Sequence, residues 1–375
     1  MHIDGLQKFP ETVSPFLQDK LTEAKENYGK DSFAYQSIAR QYLKDAAENQ
    51  LTNWQSDRHY DADMSSDENG EHLKGVERLY RRTVLLELTT ACFTNCRWCL
   101  RQNYSRFALR KDKIVENVSY FGSDNLRDEV NEVLITGGDP MIVPQRLDLA
   151  LTEIARQAPN IRVVRIGSRV FSHNPGQVDD DLVRMFVKHR KSFRIEIGTH
   201  INSPVEFWPE TIAAILKLQD AGVVFYNQHP LLKGVNDSFE ALSELYDQCR
   251  FHSIEPHYLF HCIPLQGMQH HRTTVQRGLD LIRRLTSGGY FSGRAKPNFA
   301  AMTDIGKITF YEGTIVDRDE ERGRLLLQSG YSLEERLMYN PSYTPTESTV
   351  VDENGLLQVW YPDGVDDNFW RNWLS

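Results

Sequence analysis

The chain has 375 residues, 40% apolar and 25% charged, the balance of an ordinary globular protein long enough for one large barrel or two domains. Acidic residues outnumber basic ones 52 to 43, and this net charge of -9 argues against a nucleic-acid surface, while no apolar run is long enough to cross a membrane. Only five cysteines and no apolar segment after Met1 point to a reducing, cytoplasmic setting and away from a disulfide framework.

Residues 1–75 read as an N-terminal helical region with a linker. Phe16 to Tyr28 predicts one helix, and Tyr35 to Ala47 a second, with Tyr35, Ile38, Ala39, Tyr42 and Leu43 at helical spacing. The polar stretch Ser56 to Gly70 reads as a long loop. From 84 to 286 short apolar strands alternate with amphipathic stretches; the strands fall at 84–89, 132–136, 162–166, 193–197, 222–227 and 256–262. The segment 209–220 opens on Pro209 and stops before Gly222, a sound helix start and end. After Asn236, Phe239, Leu242, Leu245, Tyr246 and Cys249 share one helical face, with Asp237 as the expected N-cap. Six strand–helix units predict a parallel sheet with right-handed crossovers, short of the eight of a closed barrel. The expected fold is therefore α/β, a partial (β/α)6 TIM-type barrel over 76–290. Residues 291–375 read as a β-rich extension covering the active site. Lys307–Tyr311 and Gly323–Leu327 look like the strands of one hairpin, and Val350-Val351 with Leu356–Trp360 like another around Asn354-Gly355.

Within this frame Cys92, Cys96 and Cys99 form C-x3-C-x2-C, directly after the first strand of the alternating region. Thiolates on such a loop suit an iron–sulfur cluster, and three of them leave one iron open. A structural zinc needs a fourth ligand, and Cys249 and Cys262 stand alone far downstream. Three core cysteines are a poor alternative, because Thr94, Asn95 and Arg97 interleave them. The spacing resembles the radical S-adenosylmethionine (SAM) superfamily, in which the open iron binds SAM. The second strand ends in Thr136-Gly137-Gly138-Asp139-Pro140. A Gly-Gly pair lets backbone approach a ligand closely, and Asp139 offers a carboxylate to an ammonium. In that superfamily the matching loop binds the amino group of SAM.

Several further blocks resemble the lysine 2,3-aminomutase family, which uses pyridoxal phosphate (PLP) beside SAM. They are Thr136 to Pro140, Arg165-Ile166-Gly167-Ser168-Arg169, Thr199-His200-Ile201-Asn202, and Asn227-Gln228 followed by Leu231 to Asp237. The resemblance spans roughly residues 30–310. It implies a [4Fe-4S] cluster on Cys92, Cys96 and Cys99, and SAM held by Trp98, Gly137, Gly138, Asp139, Pro140, Ser168, His200 and Gln228. It implies PLP on Lys307, with Arg169 at its phosphate and Tyr80 nearby, and Arg101 on the substrate carboxylate. Such a site moves an α-amino group to the β-carbon. The chain departs from the family in places. Lys307 lacks most of the family's preceding glycines, and Arg78-Leu79-Tyr80-Arg81-Arg82 displaces two arginines of the PLP-phosphate segment. Ile263 stands where lysine-specific enzymes place an acid, so a substrate with an uncharged side chain is expected in lysine's place. No cysteine follows Cys262 to make the family's C-terminal zinc site. Gln266, Gln269, His270 and His271 read as loop or substrate contacts, because adjacent histidines splay apart on most backbones. The expected partners are a small-molecule substrate, an electron donor such as flavodoxin or ferredoxin, and further copies of the chain. The competing reading keeps the radical SAM barrel without PLP and acts on a sugar or nucleoside by dehydration, deamination or decarboxylation.

Overall fold

The computed structural model describes residues 10–49, 64–66, 72–78, 80–103, 107–339, 341 and 343–366. Two helices come first, α1 (Pro15–Tyr28) and α2 (Phe33–Tyr42). The Ser14 and Ser32 hydroxyls cap them by accepting from the Leu17 and Tyr35 amides. Helix α2 stops at Tyr42 and not at Ala47, because Leu43 turns extended and a short 3-10 turn takes Ala46–Asn49. The polar stretch 56–70 lies mostly outside the described residues. Its Met64–Ser66 is not loop but strand β1, paired antiparallel with β2 (His72–Glu77).

The alternating region follows as β3 (Thr83–Thr89), α3 (Lys111–Phe121), β4 (Glu132–Gly137), α4 (Pro144–Gln157), β5 (Val163–Gly167), α5 (Val170–His173), α6 (Asp180–His189), β6 (Arg194–Thr199), α7 (Pro209–Asp220), β7 (Val224–Leu231), α8 (Phe239–Phe251), β8 (Ile254–His261), α9 (Val275–Ser287) and β9 (Asn298–Thr303). Strands β3 to β9 lie side by side in chain order and pair in parallel throughout. The fold is mixed α/β around one large, mainly parallel sheet, and the parallel run has a seventh strand, β9, beyond the six expected. Asn298-Phe299-Ala300-Ala301-Met302-Thr303 hid it, because small alanines replace the usual branched residues.

Burial alternates along the central strands. Val133 and Ile135 of β4 and Val164 and Ile166 of β5 are inaccessible in the main core, each contributing about 1.5–3 kcal/mol on burial. Their neighbours Glu132, Leu134, Thr136 and Arg165 are half-buried on the opposite face. Helix α7 buries Thr211, Ala214, Ile215 and Leu218, one stripe at helical spacing. Helix α8 is capped by Ser238, whose hydroxyl accepts from the Ala241 amide; Asp237, the expected cap, instead accepts from the Gly234 amide at 2.7 Å. Among the described residues no helix is long and apolar enough to cross a membrane.

Beyond β9, strand β10 (Gly306–Thr309) turns back against it, with Lys307 opposite Met302. The expected hairpin of Lys307–Tyr311 with Gly323–Leu327 therefore does not form. Asp304 and Ile305 make the turn instead, and Gly306 leaves it at φ +116. Strands β11 (Ile315–Asp319), β12 (Arg324–Ser332), β13 (Thr349–Val351) and β14 (Leu356–Pro362) make a second, antiparallel sheet, with α10 (Leu333–Tyr339) after β12. The hairpin of β13 and β14 forms as its turn residues predict, with Gly355 at φ +78. Buried Arg272 ties this sheet to β8 by donating to the carbonyls of Cys262, Pro362 and Asp363.

Candidate active site

Strand β3 ends at Thr89, and the chain leaves the sheet in a loop that returns at Phe107. The base of the loop is closed, with the Thr90 amide donating to Phe107 O at 2.9 Å and the Leu109 amide to Leu88 O at 3.0 Å. Residues 10–49 clamp it: the Asn95 amide donates to Thr12 O at 2.9 Å, the Arg97 amide to Gln41 O at 2.8 Å, and the Ser14 amide to the Thr94 hydroxyl at 3.0 Å. Arg97 also pairs with Glu48, Nε to Oε1 at 2.8 Å.

The three cysteines share this clamped loop, Cys96 buried and Cys92 and Cys99 half-buried. Burial pushes the Cys96 thiol up to about 11, against the pull of the Arg169 guanidinium. Burial, then Asp139 and the other two thiols, pushes Cys92 up as well. Thiols raised by burial, and in Cys92 and Cys96 by neighbouring sulfurs, ionise readily only around added positive charge, which is what iron supplies. The donor set therefore fits an iron–sulfur cluster. Among the described residues no three His, Cys, Asp or Glu side chains converge on one metal position. Cluster cysteines each take a different iron and need not converge.

The glycine pair packs backbone against backbone. A Cβ on Gly137, at φ +127, would run into the Thr89 carbonyl oxygen, and one on Gly138 into that of Ala91. The bare backbone lies against the start of the cysteine loop, with the Asp139 amide donating to Ala91 O at 2.9 Å. The close approach is to the chain itself. Asp139 is buried, and its carboxylate is already used. It accepts from the Ser168 hydroxyl at 2.9 Å, the Met141 amide at 3.0 Å and the Arg169 amide at 2.9 Å, joining the ends of β4 and β5. Pro140 opens the 3-10 turn that follows.

Arg169, expected at a PLP phosphate, reaches the cysteine loop. Its Nη1 donates to Cys96 Sγ at 3.0 Å, and its Nη2 to Glu206 Oε2 at 2.8 Å and Gln41 Oε1 at 3.2 Å. Its guanidinium lies 5.4 Å from the Tyr42 ring and 5.1 Å from that of Trp98. Its contacts gather it with the cysteine loop and not with Tyr80 and Lys307. His200 stacks on Trp98 at 5.8 Å, and burial, with Arg169 and His229, pushes it down to about 3, so it is neutral at working pH. His173 adds an imidazole Nε2 3.7 Å from Cys96 Sγ.

Lys307 projects from β10 into a tyrosine cage. Its Nζ donates to the Tyr258 hydroxyl at 2.8 Å, and lies 4.0 Å from the Tyr258 ring and 5.5 Å from that of Tyr80. Beside them a β-bulge in the β7–β8 ladder pairs Asn227 with Pro256 but Gln228 with Tyr258, which leaves His257 extra. His257 and Tyr258 are then both half-buried, their rings 4.3 Å apart. Burial, then Lys307 and Arg165, pushes His257 down to about 4. Arg165 forms an ion pair with Glu132 and reaches the Tyr226 hydroxyl at 3.5 Å.

Between the two groups lies an apolar patch. Ile263, Leu265 and Met268 are buried together, and Leu100, next to Cys99, packs on them with Met302, the register partner of Lys307. Arg101 forms an ion pair with Glu87, and its amide donates to Cys99 Sγ at 3.4 Å. Gln228 sits on β7 opposite Tyr258. His270 and His271 do not splay apart: their rings are 3.9 Å from each other in a short turn.

Glu87, Gln41, Glu206, His257 and Tyr258 escaped the sequence reading. Glu87 carried a signal, as the one charge in an apolar strand run, and it is 2% exposed. The others carried none, since a bulge and a contact between residues 41, 169 and 206 are tertiary facts.

No family model matches the chain. It is 35% identical over 258 residues to a putative L-lysine 2,3-aminomutase of Aquifex aeolicus, covering 66% of each chain. It is 31% identical over 324 residues to the L-lysine 2,3-aminomutase of Methanococcus maripaludis, covering 85% of this chain and 70% of that one. It is 29% identical over 254 residues to the glutamate 2,3-aminomutase of Clostridioides difficile, covering 67% of this chain and 58% of that one. Its matches thus span between 58% and 70% of these relatives' lengths.

Proposed function

The chain belongs to the lysine 2,3-aminomutase family of radical SAM enzymes, and on that premise we propose that it moves the α-amino group of an amino acid with an uncharged side chain to the β-carbon, with PLP carried on Lys307. The observation that carries this reading is one continuous site. Leu100, beside the last cluster cysteine, and Met302, opposite the lysine, meet on a single apolar patch. We read the parallel run β3–β9 as a partial barrel with this site at the strands' C-terminal end.

When bound, the cluster with SAM would supply hydrogen-abstracting radical chemistry, and PLP a π-system able to delocalise an unpaired electron. The chain supplies placement. Cys92, Cys96 and Cys99 would hold the irons on a loop clamped by residues 10–49. Lys307 must lose a proton to react with a carbonyl, and the Tyr258 hydroxyl fixes its Nζ while the Tyr80 ring flanks it. Arg101 would offer its fork to the substrate carboxylate, with Glu87 holding the guanidinium in place. Ile263, Leu265 and Met268 would receive the side chain; none of them can compensate a buried ammonium, which disfavours lysine as substrate.

The test is borohydride reduction of the PLP-loaded protein followed by peptide mapping. A pyridoxyl mass on the Lys307 peptide, lost in Lys307→Ala, is expected. An adduct on another lysine, or none, overturns the PLP assignment.

A further inference from the structure

We propose that Arg169 is a positioning residue for the iron–sulfur cluster, donating a hydrogen bond to the Cys96 sulfur and so raising the potential at which the cluster accepts its electron. The inference rests on Cys92, Cys96 and Cys99 being the cluster ligands.

The geometry is that of a fixed donor. Arg169 Nη1 stands 3.0 Å from Cys96 Sγ. Its Nη2 is held by Glu206 Oε2 at 2.8 Å and Gln41 Oε1 at 3.2 Å. The Tyr42 and Trp98 rings flank the guanidinium at 5.4 and 5.1 Å. The residue is 8% exposed and Glu206 is 0% exposed.

Glu206 is itself fixed. Its other oxygen accepts from Gln41 Nε2 at 3.0 Å and from the Asn202 and Ser203 amides at 3.0 and 3.1 Å. A buried carboxylate with three donors and one guanidinium is a costly arrangement to keep in a core. It makes sense if its task is to hold one cation still. A planar fork gripped on one nitrogen cannot swing away from the sulfur the other nitrogen faces.

The electrostatics give the direction. Reducing the cluster adds one electron, delivered by a one-electron carrier or by dithionite, and breaks no bond. Negative charge then grows on the cluster and its ligand sulfurs. A guanidinium hydrogen-bonded to one of those sulfurs stabilises the reduced form more than the oxidised one, which raises the potential. Burial strengthens the effect, because little water screens it.

The experiment is an anaerobic redox titration of the reconstituted cluster, followed by electron paramagnetic resonance, in wild type, Arg169→Lys and Arg169→Gln without SAM. The expected result is a midpoint shifted to lower potential in Arg169→Gln and less so in Arg169→Lys. An exchangeable-deuteron coupling to the reduced cluster should be present in wild type and lost in Arg169→Gln. If Arg169→Gln fails to take up iron, Arg169→Lys alone carries the test. Unchanged midpoints at full iron content, or a change in SAM affinity alone, overturn the proposal. A cluster that survives in Cys96→Ala would show that the ligand assignment had failed instead.

Discussion

Replacing Gly138 with alanine should loosen the cysteine loop at its root. The new Cβ would run into the Ala91 carbonyl oxygen, which is backbone and cannot rotate away. Overpacking of this kind costs about 1–3 kcal/mol. Relieving it pulls the end of β4 off the loop, weakening the bonds from the Gly138 amide to Thr89 O and from the Asp139 amide to Ala91 O, at about 1 kcal/mol each. The sum is about 3–5 kcal/mol. An unfolding entropy of about 2 cal/mol/K per residue gives about 0.8 kcal/mol/K for 375 residues, so the melting midpoint should fall by roughly 4–6 °C. Iron content after reconstitution should fall with it, because Ala91 adjoins Cys92. Gly330→Ala is the control, since a Cβ there meets nothing within 4 Å. Thermal unfolding by circular dichroism and iron analysis on the two variants decide the matter. Equal midpoints and equal iron loading would refute the argument that these glycines serve the loop.

Three further outcomes follow from the same geometry. Arg101→Lys should raise KM for the amino-acid substrate about 10–150-fold with iron content unchanged, since a charged hydrogen bond contributes about 1.5–3 kcal/mol; steady-state kinetics with an unaltered KM would remove Arg101 from the carboxylate site. Tyr258→Phe removes the hydroxyl that accepts from Lys307 Nζ and should weaken PLP retention about fivefold, read by fluorescence titration, whereas unchanged retention would make Tyr258 a packing residue only. Stability should drop on acidification. Burial pushes His229 and His261 down to about 3, below the unfolded value near 6.5, so the unfolded chain binds protons that the folded one excludes. Each histidine then subtracts on the order of 1 kcal/mol per pH unit as pH falls from about 6.5 towards 3, and urea midpoints that stay flat from pH 7 to 5 would contradict this.

Much of the frame was legible in the sequence. The strand–helix alternation shows because each parallel strand buries one apolar face, as Val133 and Ile135 do. The cysteine loop shows because its chemistry needs three like residues close in sequence. What stayed hidden is long-range. Strand β9 has Ala300 and Ala301 at its centre, where branched residues would have marked a strand. The strand that pairs with Lys307 is not legible, because a turn at Asp304 and Ile305 diverts β10 onto β9. Arg169 reads as one more arginine in a strand-end motif until Gln41 and Glu206 arrive from distant segments to aim it at Cys96. The cap of α8 is Ser238, one residue beyond Asp237, which accepts from the Gly234 amide instead.

The central claim is migration of an amino group within one substrate. The most direct measurement follows a nitrogen-15 label in α-amino acids with apolar side chains, incubated anaerobically with the reconstituted protein, SAM, PLP and dithionite, and read by nuclear magnetic resonance of the carbons it is bonded to. The account predicts label on the β-carbon, dependent on Lys307 and Cys96. Label that stays on the α-carbon while 5′-deoxyadenosine accumulates, or that leaves as ammonia, would contradict it.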